Sequence, residues 1–361
     1  MEAIAVIGAG HGGMAMAGHL ALMGHKVNLF NRGEERLWGV KKSGAIEITG
    51  EIEGFGELNL ATNSAQEAIK DAELIMVVVP AYGHKWVAES LAPYLADGQI
   101  IVLHPGRTLG ALEFRQILNE KGVTADVVVA EAQTFLYASR ATGPSQAHIF
   151  RIKNSIPVAS VRAHLIPNVI KKLRRFYPQF VPGDNIFKTS FENIGSVFHP
   201  ALCVLNSGWV EHDIDFQFYH EGATTSVTKV LEKVDEERVR VAESLGIRAI
   251  TARQWLYMAY SAAGNTLYEA MQKNTGYRGI LAPKTLRMRY MEEDIPFSLV
   301  PIASVGKMFN IDTPTIDAII RIGSALNSSD YWSNGRTTDS LGITGLSLRD
   351  IRLIAIGEAT V

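Results

Sequence analysis

The sequence predicts a doubly wound α/β domain built on a parallel sheet, followed by an all-α domain. Three observations predict it. The chain opens on a short apolar run that breaks into glycines and resumes as small apolar residues at helical spacing, Ile4 to Ala17. Runs of β-branched residues then alternate with helical patterns as far as Phe176, the mark of parallel strands joined by crossover helices. From Phe187 onward long helical patterns replace the β-branched runs. The 361 residues suffice for two domains with separate cores, and the expected division is 1–184 and 185–361.

Bulk properties narrow the function. Hydrophobic residues make up 47% and charged residues 20%, the balance of a compact soluble protein. A formal net charge of -2 gives no general attraction to nucleic acid or to an anionic membrane, and neither is expected as a partner. The single cysteine, Cys203, excludes an intrachain disulfide and a cysteine-based metal cluster, and no metal is expected. It fits a reducing compartment. No basic segment with a cleavable apolar run precedes the first strand, and no apolar run reaches membrane-spanning length. Cytoplasmic residence is the expectation.

Ile4-Ala5-Val6-Ile7 reads as a buried strand and the residues from His11 as a helix start. The glycines between them fall as Gly8-x-Gly10-x-x-Gly13. Gly8 permits the turn, Gly10 lets a pyrophosphate approach the backbone, and Gly13 lets the helix pack closely on the strand. His11 and Gly12 belong to a helix N-terminus whose N–H groups and positive dipole end favour phosphates. A strand before and a helix after favour nucleotide binding over an ordinary glycine turn.

Lys26 to Gly33 reads as the second strand, whose end normally meets the adenosine ribose. An Asp or Glu there would accept from the 2′-hydroxyl of NAD, but this chain has Asn31 and Arg32. A neutral amide does not repel a 2′-phosphate, and a guanidinium binds it with two hydrogen bonds. NADP(H) is therefore the expected cofactor. NAD(H) is the alternative if Arg32 only stacks on adenine or points into water and Glu34 or Glu35 supplies the carboxylate.

A helix is expected from Glu34 to about Ser43, then an antiparallel excursion from Ala45 to Leu60 and a short helix from Ser64 to Lys70. Leu74 to Val79 is apolar on both faces, as a central parallel strand should be. Pro80 ends it, and Ala81 to His84 form the loop at its carboxyl end, where ligands sit in open α/β sheets. The pattern repeats with Ile100–Leu103, the His104-Pro105-Gly106-Arg107 turn and a helix through Leu118. It repeats again with Val127–Ala130 and Glu131. Pro80, Gly106 and Glu131 thus join Gly8, Gly10, His11, Gly12, Gly13, Asn31 and Arg32 as candidate cofactor contacts. A helix from about Arg162 to Phe176 follows, and Pro178 to Asn185 reads as a linker. Helices are then expected over Thr189–Val210, Ser226–Leu245, Ala252–Tyr260, Thr266–Gln272, Leu299–Met308 and Thr315–Leu326, punctuated by Gly246, Pro283, Pro296 and Pro314.

Two stretches of the helical half carry chemistry. In Phe191 to Leu202, His199 stands beside Pro200, which deletes a backbone donor and can bend the helix so as to aim a side chain. The plain alternative is a core histidine bonded to a carbonyl. In Arg287 to Pro296, basic and acidic residues crowd before a proline. An arginine there clamps a carboxylate, and an aspartate orients a histidine and favours its charged form. The plain alternative is a solvated charged turn.

Asn193 to Pro200, Phe216-Gln217-Phe218-Tyr219-His220-Glu221-Gly222, Tyr277-Arg278-Gly279, Arg289 to Asp294 and Thr313-Pro314 resemble the octopine/nopaline (opine) dehydrogenase family, over nearly the whole chain and in the right order. The resemblance implies a Rossmann-type domain followed by an all-helical domain that forms much of a homodimer contact. It implies reductive condensation of an amino acid with a 2-oxo acid such as pyruvate, and the reverse oxidation. By motif match, His199 carries over as catalytic acid/base, Asp294 as its charge partner and Arg289 as a substrate-carboxylate ligand. Asn193 and Tyr219 carry over as further substrate-side groups. A related bacterial enzyme has an Asp where Asn31 stands, so NAD use is not carried over. Two other readings stay open: a simple 2-oxo-acid or ketopantoate-type reductase using Lys188 and Asn193, and a non-catalytic NADP-binding redox sensor.

Overall fold

The computed structural model describes residues 3–212 and 214–359. The chain forms two compact units: one holds the chain through Thr189 together with the segment from Leu353 on, and the other spans Ser190–Arg352. The division falls after Thr189 rather than after Asp184, and the end of the chain returns to the first unit.

In the first unit, β1 (Ala3–Ile7) leads into α1 (His11–Leu22) and β2 (Val27–Phe30). A 3₁₀ turn at Glu34–Arg36 and α2 (Trp38–Ser43) replace the single helix expected there. Only Leu37, Gly39 and Val40 are buried between Glu34 and Ser43, one turn of apolar face, too little to carry a longer helix. Next come β3 (Ala45–Gly50), β4 (Gly54–Glu57), β5 (Leu60–Thr62), α3 (Ala65–Ile69) and β6 (Ala72–Val77). Then follow α4 (His84–Leu91), β7 (Ile100–Leu103), α5 (Gly110–Glu120), β8 (Val128–Ala132), β9 (Tyr137–Gly143) and β10 (Gln146–Ile152). The unit continues with β11 (Ile156–Ser160), α6 (Ile166–Leu173), β12 (Phe180–Pro182) and α7 (Ile186–Phe191), which runs into the second unit.

The main sheet has the order β12-β11-β8-β7-β6-β1-β2-β5. β1 pairs in parallel with both β2 and β6, so the strand order reverses beside β1, the place where an open α/β sheet binds its ligand. Every residue of β1 and β7 is buried, which is why their sequences are apolar on both faces. One departure from the expected parallel sheet is β11, antiparallel to β8. The stretch expected to be a linker holds β12, which pairs with β11. Phe180 within it is fully buried, and that anchor overrides its proline- and glycine-rich composition.

The antiparallel excursion belongs to a second sheet, β4-β3-β10-β9. It lies on α1: a Cβ on Gly18 would stand 2.6 Å from Ile48 Cδ1. α1 is thus covered on two sides, which accounts for a helix whose residues from Gly13 to Ala21 are all buried.

The second unit contains α8 (Gly195–Leu205), α9 (Ser207–Glu211), α10 (Thr225–Ser244), α11 (Ala252–Tyr260), α12 (Leu267–Lys273), α13 (Arg289–Glu292), a π-helical turn at Ile295–Leu299, α14 (Val300–Met308) and α15 (Pro314–Asn327). α16 (Leu348–Ile356) begins in this unit and ends in the first. The one long helix expected over Thr189–Val210 is divided among α7, α8 and α9. Asn206 Nδ2 donates to Leu202 O (2.9 Å) and Gly222 O (3.1 Å), the competition with helical bonding that such side chains provide.

α10 organises this unit through its acids. Glu237 accepts from the Thr315 and Ile316 N–H groups at 2.9 Å each, Asp235 from Ala252 N–H at 2.7 Å and Glu232 from Leu267 N–H at 2.9 Å. Each supplies a negative charge to the N-terminus of another helix. Arg238, fully buried, binds Asp235 at 2.6 Å, Ile250 O at 2.6 Å and Phe191 O.

Candidate active site

At the switch point, Gly8 adopts φ +113, and a Cβ there would stand 2.5 Å from Val78 O. A Cβ on Gly13 would overlap Gly8 O, and one on Gly12 would stand 2.7 Å from Phe135 Cζ. Around Gly10 the nearest atom is Arg36 Nη1, 3.8 Å from the Cβ position. The loop is therefore sealed everywhere except at Gly10, the N-cap of α1, where space is left for an anion against the helix N-terminus. These residues fit a dinucleotide pyrophosphate. Pro80 follows Val78 and Val79, the two residues that close on Gly8, and caps the 3₁₀ turn Ala81–Gly83.

Asn31 Oδ1 accepts from Ala9 N–H at 3.1 Å and its amide donates to Gly33 O at 2.8 Å, tying the end of β2 to the glycine turn. Arg32 is exposed and holds its guanidinium over Trp86, 5.4 Å from the ring centroid. Glu34 is paired with Lys41 at 2.8 Å. His11 Nδ1 accepts from Ala141 N–H of β9 at 2.9 Å, so this ring nitrogen is committed to the second sheet.

Glu131 is 1% exposed. It accepts from Ala111 N–H at 2.9 Å, near the start of α5, and from Thr189 Oγ1 at 2.8 Å. Gly106 packs directly on this carboxylate. Glu131 therefore orders the loop after β7, where Arg107 and Leu109 hold φ values of 59 and 61, a conformation that costs a non-glycine residue about 1–3 kcal/mol.

In the second unit the structure brings together His199 on α8 with Tyr290 and Asp294 around α13. His199 Nδ1 lies 2.8 Å from Asp294 Oδ2; the His199 side chain is 18% exposed and that of Asp294 fully buried. His199 Nε2 lies 3.0 Å from Tyr219 OH. Tyr290 stacks on the imidazole at 4.1 Å and 18°, and Phe218 stacks on Tyr290 at 5.3 Å and 20°. Tyr219 in turn stacks on Tyr277 at 4.2 Å. Burial, reinforced by Tyr290 and Tyr277, holds the Tyr219 hydroxyl well above the ordinary tyrosine range, so it is a neutral hydrogen-bonding group at any working pH. Pro200 lies inside α8, where its missing N–H frees a carbonyl one turn earlier.

Arg289 Nε binds the buried Glu293 carboxylate at 2.8 Å while its side chain stays 56% exposed; this fixes the guanidinium plane at its root. Asn193 Nδ2 donates to Ser298 Oγ at 2.9 Å, joining the approach to α8 to the turn that follows Asp294. Lys188 is paired with Asp184 at 2.6 Å. Cys203, one turn beyond His199, is buried, and burial together with Asp294 pushes its thiol far up. Sequence reading did not single out Arg36 or Tyr290. Arg36 was hidden because Glu34-Glu35-Arg36 looks like a helix surface, whereas a 3₁₀ turn brings it back over Gly10.

A glycine turn sealed except at one helix N-terminus, set at the switch point of a mainly parallel sheet, is the arrangement of the Rossmann-type dinucleotide-binding proteins. Residues 4–134 match the family described as ketopantoate reductase PanE/ApbA. Residues 182–327 match the alpha-helical domain of NAD/NADP octopine/nopaline dehydrogenase. An opine dehydrogenase of Arthrobacter sp. (strain 1C) is 37% identical over 349 residues, covering 96% of this chain and 97% of its own. The chain belongs to the octopine/nopaline dehydrogenase family. Its fold matches octopine dehydrogenase with NADH and L-arginine (TM-score 0.83, 19% identity, 100% of this chain and 99% of that one). It also matches yersinopine dehydrogenase with NADP+ bound (TM-score 0.76, 15% identity, 99% and 98% covered).

Proposed function

We propose that this NAD(P)H-dependent opine dehydrogenase joins an amino acid to a pyruvate-like 2-oxo acid, with His199 as the acid/base. The observation that carries the role of His199 is the Asp294–His199–Tyr219 chain, with contacts of 2.8 and 3.0 Å. The bound cofactor supplies hydride to the electron-poor carbon of the condensed substrate. Gly8 to Gly13 hold its pyrophosphate.

The amine of the amino acid adds to the carbonyl of the oxo acid, and loss of water leaves an imine. Protonation makes its carbon more electrophilic, and His199 donates that proton from Nε2. The Asp294 carboxylate on Nδ1 fixes the ring orientation. Tyr219 holds Nε2 until substrate arrives, and Tyr290 keeps the ring from turning. Arg289, braced by Glu293, takes a substrate carboxylate and so sets the face that receives hydride. Asn193 positions the Asp294 segment through Ser298.

NADPH is the preferred cofactor in this reading. Asn31 spends both ends of its amide on backbone, the expected carboxylate is missing there, and Arg32 and Arg36 offer charge to a 2′-phosphate. Among the described residues no helix is long and apolar enough to cross a membrane. A cytoplasmic homodimer fits the lone buried thiol and the exposed Leu205, Trp209 and Ile214, an apolar group next to α9.

The test is NADPH oxidation with pyruvate, oxaloacetate or 2-oxoglutarate, each with and without a panel of amino acids. Oxidation that requires both substrates supports condensation. Equal rates without any amine would instead indicate a simple oxo-acid reductase.

A further inference from the structure

Both nitrogens of the His199 ring are engaged by side chains of the second unit. Asp294 Oδ2 lies 2.8 Å from Nδ1 and the Tyr219 hydroxyl 3.0 Å from Nε2, while Tyr290 covers one face of the ring at 4.1 Å. A protonated imidazole has two N–H donors and no acceptor. Nδ1–H then goes to Asp294 and Nε2–H to the Tyr219 oxygen. The hydrogen of Tyr219 must therefore point away from His199; in the resting site it meets Tyr290. Any proton that leaves Nε2 passes this hydroxyl first.

The hydroxyl is held in place by its own segment. Phe218 N–H donates to Ile280 O and Ala282 N–H to Phe216 O, at 2.9 Å each, across an antiparallel bridge of Gln217 with Leu281. Gly279 N–H donates to Gln217 Oε1 at 3.1 Å. On this clamp the Tyr219 ring stacks on Tyr277 at 4.2 Å and 21° and meets Phe218 edge-on at 5.0 Å and 73°. Tyr219 is 6% exposed, and burial, then Tyr290 and Tyr277, keep its hydroxyl protonated. Such a phenol does not ionise by itself. It gives up its proton only as another reaches the same oxygen.

Condensation needs a conductor of this kind. Once the amine has added to the oxo carbon, that carbon bears nitrogen and hydroxyl together, a carbinolamine. Hydroxide is a poor leaving group, so the C–O bond breaks only as a proton reaches its oxygen.

We propose that Tyr219 is a second catalytic residue, which carries the His199 proton to the departing hydroxyl of the carbinolamine. The inference rests on the condensation reading above and assigns its water-loss step. Nε2–H passes to the Tyr219 oxygen as the phenol O–H passes to the hydroxyl. The C–O bond breaks, water leaves, and the nitrogen lone pair forms C=N. Nitrogen keeps its own hydrogen, so the product is the protonated imine, and His199 is left neutral. One proton has moved, no atom has changed oxidation state, and the phenol ends as it began. The imine is thus both formed and protonated with the single proton that His199 supplies.

The experiment compares wild type with Tyr219→Phe, which keeps the ring on Tyr277. It measures NADPH affinity by fluorescence, turnover with pyruvate and the amino acid that wild type condenses fastest, and the isotope effect of NADPH deuterated at the transferred position. In the variant kcat should fall about 10²-fold, with pyruvate KM and NADPH Kd within about threefold of wild type. Loss of water then limits turnover, so the deuterium isotope effect should vanish. In the reverse direction, rapid mixing of the isolated product and NADP+ with the variant should give a fast NADPH phase followed by a slow one, because hydride leaves before water adds. A tyrosine that only positions His199 would slow protonation and hydride transfer together. A full primary isotope effect in Tyr219→Phe, a single slow NADPH phase or a wild-type kcat overturns the proposal. Wild type that makes no secondary amine would defeat the condensation reading and the relay with it. Condensation by wild type and variant at equal rates would defeat the relay alone.

Discussion

Asp294→Asn keeps the shape of the side chain and removes its charge. Asp294 Oδ2 lies 2.8 Å from His199 Nδ1 within a buried environment. Two unit charges about 4 Å apart attract by about 4 kcal/mol at an effective dielectric of about 20. His199 keeps 18% of its side chain exposed, and solvent screens part of this attraction, leaving an orienting contact of about 1–3 kcal/mol. Proton delivery needs that ring orientation, so turnover should fall by about 10- to 100-fold. The assay is kcat against pH with saturating NADPH and both substrates. A variant with the wild-type profile and rate would refute the claim that Asp294 prepares the imidazole for proton transfer.

Three further outcomes are expected. His199→Ala should lower turnover about 10²–10⁴-fold with NADPH affinity unchanged; near-normal turnover would make it a core histidine. Arg32→Ala should weaken NADPH about 10- to 100-fold and NADH much less, whereas equal losses in fluorescence titrations would leave Arg32 a stacking role alone. Burial lowers His19 to about 4 and His104 to about 3 from 6.5. The unfolded chain takes up these protons first, so stability should decline as pH falls from 6.5 through 4 toward 3, by roughly 4 kcal/mol at His104. Denaturant titrations of His104→Gln should show a shallower acid decline, and an unchanged slope would contradict the assignment.

What the sequence made legible was what depends on local pattern. β1, β6, β7 and β8 carry apolar residues on both faces, and α10, α11, α12 and α15 keep a clear helical period. The His199 and Asp294 pairing was readable only through family resemblance, because 95 residues separate them and nothing in the spacing links two distant segments. Tertiary partners decided the rest. Asp235 and Glu237 cap other helices, which no local pattern marks. Phe180 turns a linker composition into an edge strand.

The central claim is that one product contains both substrates. Incubation of the enzyme with NADPH, pyruvate and ¹⁵N-labelled amino acids, read by mass spectrometry, tests this directly. The account predicts a secondary-amine dicarboxylate that keeps the ¹⁵N label and has gained one hydride and one proton relative to the imine. Reduction of pyruvate to a hydroxy acid, with the labelled amino acid recovered unchanged, would contradict it.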